Sequence, residues 1–205
     1  MRRTSRMRHW FAALLLLNAA TVAFAQAPHL AYSVLLGEDD WDAGDSARHI
    51  AVDGAGQAWV VAAGTQFTPA PGEDLYHGYS IVRLSPAGAL LSTTPFGGSG
   101  ADSIHSIHLD AAGNLYLVGR TTSPDFPMTH LVGPPGAINE AFVVKLDAAG
   151  DLVYSTRFRG TPSLPSLSLI DIAVDAQGRA HVVGKIAVSL YGASDIFVAK
   201  LSADG

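Results

Sequence analysis

The sequence predicts an all-β fold in which a four-stranded antiparallel unit occurs about three times. Three sets of segments support this, because the members of each set align without gaps and return at intervals of about sixty residues. The first set is IAVDGAGQAWVVAAG, IHLDAAGNLYLVGRT and IAVDAQGRAHVVGKI. The second set is SIVRLSPAG, FVVKLDAAG and FVAKLSADG, and the third is AYSVLLG, LLSTTPFG and LVYSTRFRG.

Each repeat contains short runs that are rich in valine, isoleucine and aromatic residues, which is typical of strands. The second run of each repeat (AWVVAAG, LYLVG and AHVVG) is almost continuously apolar rather than alternating. Such a run indicates a sheet that is covered on both faces. Four-stranded antiparallel sheets in tandem, each covered on both faces, predict a β-propeller with about three blades.

We expect blade one at about residues 38–97, blade two at 98–160 and blade three at 161–205. We also expect blade three to lack a fourth strand, and residues 31–37 to form a fourth strand with no third strand before it. Propellers typically have four to eight blades, and three sheets cannot surround a filled centre. The sequence therefore predicts a partial propeller whose missing blades belong to a longer chain, or a homodimer of six blades. The third alternative is an open monomer with an exposed, aggregation-prone edge.

Two hairpins closed by glycine recur in the repeats, one after the first strand and one after the third. The Asp or Ser side chain that opens each hairpin can accept a hydrogen bond from a backbone N–H two residues on, and the glycine supplies a positive φ. The alternative is that the aspartates bind calcium, but their constant place in a hairpin favours the turn. The predicted turn residues are Asp53, Gly56, Asp110, Gly113, Asp175 and Gly178 in the first hairpin, and Gly88 and Gly150 in the second.

Residues 1–25 have the pattern of a signal peptide. Four arginines precede a short apolar run, and Ala23-Phe24-Ala25 forms a small-x-small cleavage site before Gln26. We therefore expect an exported protein in the periplasm, outside the cell or at the cell surface, with no membrane span after cleavage. The alternative is an uncleaved membrane anchor, for which the apolar run is short.

Composition excludes several classes of function. The chain has no cysteine, so it has no disulfide framework, thiolate zinc site or cysteine nucleophile. The 18 acidic residues outnumber the 13 basic ones, and residues 1–25 hold four of the arginines and no acid. An acidic chain without a basic cluster argues against binding to nucleic acid or to anionic membranes.

Several segments resemble the bacterial SBBP β-propeller repeat, a relative of the NHL repeat. They are YSTRFRG, DIAVDAQGRAHVVGK, GNLYLVGRTTSPDFP and DIFVAKL, and the resemblance extends over about residues 30–205. The element TTSPDFP followed by AFVVKLDAAGDLVYST is specific to that family, and blade one lacks the Ser-x-Asp-Phe-Pro part of it. The resemblance implies a propeller fold and an exported or cell-surface setting, and it implies no shared catalytic residues.

Topology assigns the candidate site to one end of the sheets. Both glycine hairpins lie at one end and are nearly the same in every repeat, whereas the links at the other end vary. Repeat proteins tend to bind with the face that carries the variation. We expect a non-catalytic interaction, adhesion or ligand-binding module that uses this variable loop face. Its protein or glycan ligand is unknown.

The variable loop before blade one is rich in carboxylates. Hard oxygen ligands of this kind could hold calcium, although the bidentate glutamate of a complete calcium loop is missing. The alternative is a solvated acidic loop. The weak calcium candidates are Asp39, Asp40, Asp42 and Asp45, and we predict no other cofactor.

The sequence contains no recognised catalytic signature, so we predict no enzyme and no catalytic residue. His105 and His108 would lie on opposite faces of a regular strand and could not share a metal without a bulge. Trp59, Tyr116 and His181 occupy one equivalent position, which favours packing between blades over a ligand cage. The alternative function is an exported hydrolase or lyase acting on a glycan, which rests on fold analogy alone.

Overall fold

A computed structural model describes residues 31–34, 46–64, 78–133, 140–159, 167–188 and 193–205. All of them except Ala31 belong to one compact unit, Tyr32–Gly205. The described residues contain strands and turns but no helix, which confirms the all-β class. The predicted signal peptide and the acidic calcium candidates lie outside the described residues.

The described strands form three sheets, each made from one repeat. The first sheet contains β1 (Ser46–Val52), β2 (Ala58–Gly64), β3 (Gly78–Leu84) and β4 (Leu90–Phe96) in sequence order. The second contains β5 (Asp102–Leu109), β6 (Leu115–Thr121), β7 (His130–Val132), β8 (Glu140–Leu146) and β9 (Leu152–Arg159). The third contains β10 (Leu167–Val174), β11 (Ala180–Ala187) and β12 (Ser194–Lys200). All neighbouring strands are antiparallel except β7 and β9.

The second sheet has a fifth strand that the repeat pattern does not predict. Strand β7 lies parallel to β9 at the outer edge, where His130 is opposite Thr156. Thr129 anchors its start, since its backbone N–H and side-chain hydroxyl both donate to the carbonyl of Ser155. Three residues are too few for a sequence signal, so this strand follows from its neighbour rather than from its own composition.

The second sheet packs between the other two. Leu117 and Val118 are adjacent in β6, point to opposite faces and are both 0% exposed. Leu117 belongs to a cluster with Trp59 and Ile81 of the first sheet, and Val118 to a cluster with Leu169 of the third. Cover on both faces explains why the second strand of the repeat is continuously apolar.

The first strands of the three sheets are neighbours, with β5 between β1 and β10. Each of the three has a β-bulge at the same place, where one residue has no partner on the second strand. The bulged residues are Arg48, His105 and Ile170. A bulge bends the strand and changes the direction of the side chain that it carries.

Replacement of Gly113 by alanine should lower the free energy of unfolding by about 1 kcal/mol or more. Gly113 has φ +82, and an added Cβ would meet only Ala148 Cβ at 3.5 Å, so the cost is backbone strain rather than a clash. Gly54→Ala is the matched control, because Gly54 is not among the positive-φ glycines and has no atom within 4 Å of an added Cβ. Urea denaturation measures both variants, and equal losses would contradict the strain argument.

Candidate functional site

An open pocket of about 520 Å³ lies where the first strands of the three sheets approach one another. Its walls come from β1, β5, β10 and β11 rather than from a single sheet. The residues that line it include Arg48, His49, His105, Ser168, Ile170 and Lys185.

The three bulged residues all line this pocket. Equivalent positions of the repeat therefore deliver three different side chains, those of Arg48, His105 and Ile170, to one space. Bulges are common beside binding sites because they redirect a side chain without changing the rest of the sheet. Sequence analysis missed this site, since a bulge leaves no mark in the alignment of the repeats.

The described lining of the pocket is cationic. Arg48 and Lys185 are both exposed and carry permanent charge at neutral pH, and none of the described lining residues is Asp or Glu. The chain as a whole is acidic, with a formal net charge of −5. The pocket is therefore a local reversal of the charge of the protein.

The two lining histidines link neighbouring sheets. His49 Nε2 lies 3.3 Å from the carbonyl oxygen of Ile104, and His105 Nδ1 lies 2.5 Å from that of Leu169. A carbonyl oxygen only accepts, so each of these ring nitrogens carries the proton and donates. The other nitrogen of His105 lies 3.1 Å from Ser103 Oγ, which donates to it when the ring is neutral. The histidines thus position the pocket wall, and its permanent charge comes from Arg48 and Lys185.

The bulge also changes the expectation for His105 and His108. On a regular strand the two residues would lie on opposite faces, but the register shift between Ile104 and Ser106 removes that alternation. His105 is directed to Leu169, whereas the pKa of Asp171 in the third sheet is lowered first by the hydrogen bond from Ser106 and only in smaller part by His108. The described residues contain no group of three metal-ligating side chains, so the pair has no third ligand there.

The pocket lies at the end of the sheets opposite the first hairpins. Those hairpins follow Val52, Leu109 and Val174, where the first strands end, whereas Arg48 is near the start of its strand and Lys185 near the end of β11. This is the end that carries the variable links. The parts of those links at 35–45, 65–77, 134–139, 160–166 and 189–192 lie outside the described residues.

The structure places the predicted turn residues in the hairpins. Asp110 Oδ1 accepts hydrogen bonds from the backbone N–H groups of Ala112 and Asn114, both at 2.9 Å. Asp53 and Asp175 make the same two bonds to the residues two and four positions on. The glycines with positive φ include Gly56, Gly88, Gly113, Gly150 and Gly178.

The hydrogen bonds in these hairpins affect the acids that accept them. Burial acts to raise the pKa of Asp110, but bonds from Asn114, Ala112 and Tyr116 outweigh it and hold that pKa below 3.8. Burial opposes the shift at Asp175 too, yet the bonds from Arg179, His181 and Gln177 keep its pKa far below its ordinary value. These carboxylates are therefore charged at neutral pH and engaged with the backbone.

Two of the equivalent aromatic residues pack between sheets. Trp59 and Tyr116 are buried, and each ring lies under a cation of the neighbouring strand, Arg83 at 4.6 Å and Lys145 at 5.2 Å. The Tyr116 hydroxyl lies 3.2 Å from both Asp110 Oδ2 and the carbonyl oxygen of Gly178 in the hairpin of the third sheet, and its single proton is shared between these two acceptors. His181, the third member, has a side chain that is 44% exposed.

The segment TTSPDFP fastens the first sheet to the second. Asp125 Oδ1 accepts from the backbone and hydroxyl of Ser99, and Ser123 Oγ accepts from the backbone of Gly100 while donating to Asp102. Phe126 is 2% exposed and packs edge-on against Phe96, with ring centroids 5.5 Å apart. The motif is therefore a structural clamp on the link at 97–101.

A buried ion cluster supports this clamp, and no motif in the sequence predicts it. Glu140 pairs with Arg157 and with Arg159, and Arg157 also donates to the carbonyls of Ser123 and Phe126. Glu140 is 3% exposed and Arg157 is 5% exposed. In the first sheet, Gly78 occupies the position of Glu140, and Pro95 occupies that of Arg157. The first repeat also lacks the Ser-x-Asp-Phe-Pro element. The cluster and the motif thus occur together.

Replacement of Glu140 by glutamine should lower the free energy of unfolding by about 3 kcal/mol, because it leaves a buried arginine charge without its counter-ion. Arg179→Ala is the control. It removes an ion pair with Asp175 whose side chains are 41% and 25% exposed, and it should cost less than about 1 kcal/mol. Urea denaturation of both variants at neutral pH measures the difference. A loss for Glu140→Gln no larger than that of the control would contradict a structural role for the cluster.

The hairpin aspartates should make the protein less stable in acid. Folding lowers the pKa of Asp110, so its charged form stabilises the fold above about pH 4, and this contribution is lost as the pH falls through the folded pKa. Urea denaturation at pH 7 and at pH 3 should show a smaller change for Asp110→Asn than for the unmodified protein. The same change in both proteins would exclude Asp110 as a source of the acid sensitivity.

In the part of the chain that the structure describes, no helix has the length and apolar character needed to cross a membrane.

Comparison with known proteins identifies one segment. Residues 93–127 match the model of the SBBP family, described as a beta-propeller repeat. The matched segment includes most of β4, the clamped link, all of β5 and β6, and the Ser123–Pro127 loop. No curated protein matches the chain. The resemblance predicted from the sequence is thereby confirmed for residues 93–127, and this match to a β-propeller repeat suggests a propeller-type module.

Proposed function

We propose that this chain is an exported, non-catalytic β-propeller module that binds an anionic ligand at the variable-loop end of its sheets. The observation that carries the proposal is the pocket between the first strands, where Arg48 and Lys185 project without a carboxylate among the described lining residues. A cationic pocket in a chain of net charge −5 favours a ligand that places its negative charge in the pocket.

An acidic glycan or an acidic protein segment fits this pocket. A volume of about 520 Å³ is in the usual range for small-ligand sites, and it can hold one or two sugar rings or a short peptide. Ser168 adds a hydroxyl and Ile170 an apolar wall, which suits the mixed polar and apolar surface of a sugar ring. The signal-peptide pattern of residues 1–25 supports export. An exported protein meets acidic glycans and acidic protein segments at cell surfaces.

The local chemistry supports binding more than catalysis. Glycoside hydrolases usually place two carboxylates around the bond that they cleave, whereas the described lining here presents cations. His105 donates through one ring nitrogen to a backbone carbonyl and lies beside Ser103 through the other, so as a neutral ring it has no lone pair directed at a ligand. The alternative, a hydrolase or lyase acting on a glycan, has no equivalent geometric support in the described residues.

Isothermal titration with oligogalacturonate, an acidic glycan, tests the proposal. Arg48→Ala combined with Lys185→Ala should weaken binding about tenfold or more, because each cation in a partly desolvated pocket contributes on the order of 1 kcal/mol. Arg179→Ala removes a positive charge from a hairpin at the opposite end and should leave the affinity unchanged. The unmodified protein should bind more weakly as salt is added.

A neutral glucan of the same length and a poly-glutamate peptide serve as comparison ligands. Binding of poly-glutamate with the same dependence on Arg48 and Lys185 supports a site for anions of either class, acidic glycan or acidic peptide. Tighter binding of poly-glutamate than of oligogalacturonate points to a protein ligand. Equal affinity for the neutral glucan, or no binding of either acidic probe, would overturn the proposal. Cleavage of the acidic glycan during the titration would support the hydrolase or lyase instead.

A further inference from the structure

The third sheet exposes a face that is buried in the other two sheets. Ile196 and Val198 of β12 are 81% and 71% exposed. Their counterparts in the register of the second sheet, Ala141 and Val143, are both 0% exposed because the third sheet covers them. The exposed face of the third sheet therefore has the composition of a surface between sheets.

The same strand also has an open edge. Strands β3 and β8 each pair with a fourth strand, β4 and β9, whereas in the described part of the chain β12 pairs with β11 alone. An unpaired edge beside an apolar face is a ready acceptor for a further strand.

Residues 31–34 are placed as a fourth strand would be, but they lie beside the first sheet and not beside β12. A Cβ built on Gly88 would lie 2.5 Å from Cδ2 of Tyr32, so the ring of Tyr32 lies directly against this glycine. Tyr154 of β9 makes the same contact with Gly205, where the distance to Cδ2 would be 2.9 Å. Gly88 and Gly205 are equivalent, since each follows the third strand of its sheet.

This equivalence defines where residues 31–34 belong. Tyr154 lies on the fourth strand of the second sheet and contacts the turn of the third sheet, which follows it. Tyr32 contacts the equivalent turn of the first sheet, so it occupies the position of a fourth-strand residue in a sheet that precedes the first. The sequence agrees, because Tyr32-Ser33 aligns with Tyr154-Ser155. In β4, the fourth strand of the first sheet, Ser92 occupies the position of Tyr154. The turn that it would contact contains Gly150, and a Cβ added there has no atom within 4 Å, as expected for a short side chain.

The first sheet offers the matching apolar surface. Ile50 and Val52 of β1 are 66% and 59% exposed, whereas Ile172, the counterpart of Ile50 in the third sheet, is 6% exposed and packs in the cluster between the second and third sheets. Neighbouring sheets pack on each other at two places within the chain. The first and third sheets therefore expose the two complementary surfaces of such a contact, one surface each.

We propose that two copies of this chain associate head to tail, and that residues 31–34 of each copy add to β12 of the other as its fourth strand. Each joint then repeats the internal joint between the second and third sheets, with Tyr32 between the completed sheet and Gly88 of its own chain. The register follows from the internal pair Val144 and Ser155, whose counterparts are Ala199 and Ser33 of the second copy.

A cysteine pair tests this register directly, because the natural chain contains no cysteine. Ser33→Cys combined with Ala199→Cys should form a disulfide between two chains, since directly opposed strand residues have the Cα separation that a disulfide needs. Non-reducing electrophoresis should show most of the protein at twice the chain mass. Val144→Cys combined with Ser155→Cys is the geometric control, because this internal pair should give a disulfide within one chain.

The unmodified protein should have the mass of a dimer in light scattering. Ile196→Asp combined with Val198→Asp should convert it to a monomer that stays folded, because both side chains are exposed within one copy. A folded monomer for the unmodified protein would overturn the proposal. A disulfide between positions 33 and 199 of the same chain, or dimers that cross-link equally well from Ser33→Cys alone, would overturn it as well.

Discussion

The second sheet is covered on both faces by its neighbours, and much of the described architecture follows from that packing. In β6, Leu117 and Val118 are neighbours in sequence and both are completely buried, each by a different neighbouring sheet. Burial of one such side chain contributes roughly 1.5–3 kcal/mol, so each neighbouring sheet stabilises the second sheet through several of them. Neighbouring repeats therefore stabilise one another through the clusters that they share.

This constraint explains which features could be predicted from the sequence. A strand that is apolar on both sides leaves a continuous run such as LYLVG, and a tight hairpin between two strands leaves an aspartate and a glycine at a constant spacing. Both signals are local, both occur three times, and repetition separates them from chance. The strand order and the all-β class follow from them.

The features that could not be predicted depend on contacts between distant parts of the chain. The bulges at Arg48, His105 and Ile170 arise where first strands of neighbouring sheets crowd together, and three different residue types leave no common pattern. The ion cluster of Glu140, Arg157 and Arg159 assembles from β8 and β9, and it occurs in only one of the described sheets. Strand β7 is three residues long and pairs with a strand more than twenty residues away. Repetition gives no help with the ion cluster and strand β7, which occur once among the described residues, or with bulges that carry three different residue types.

The pocket shows how a repeated scaffold acquires a site of its own. Packing keeps the interior positions of the repeat nearly constant, whereas a bulged residue is released from the pairing of the sheet and is free to vary. The same segment holds the sheets together, because His49 and His105 bond to carbonyls of the next sheet at the pocket wall. A ligand that bridges Arg48 and Lys185 would connect the first and third sheets across the second. Under the proposed function, binding and the packing of the sheets would be coupled, because the same first strands form the pocket and the contacts between neighbouring sheets.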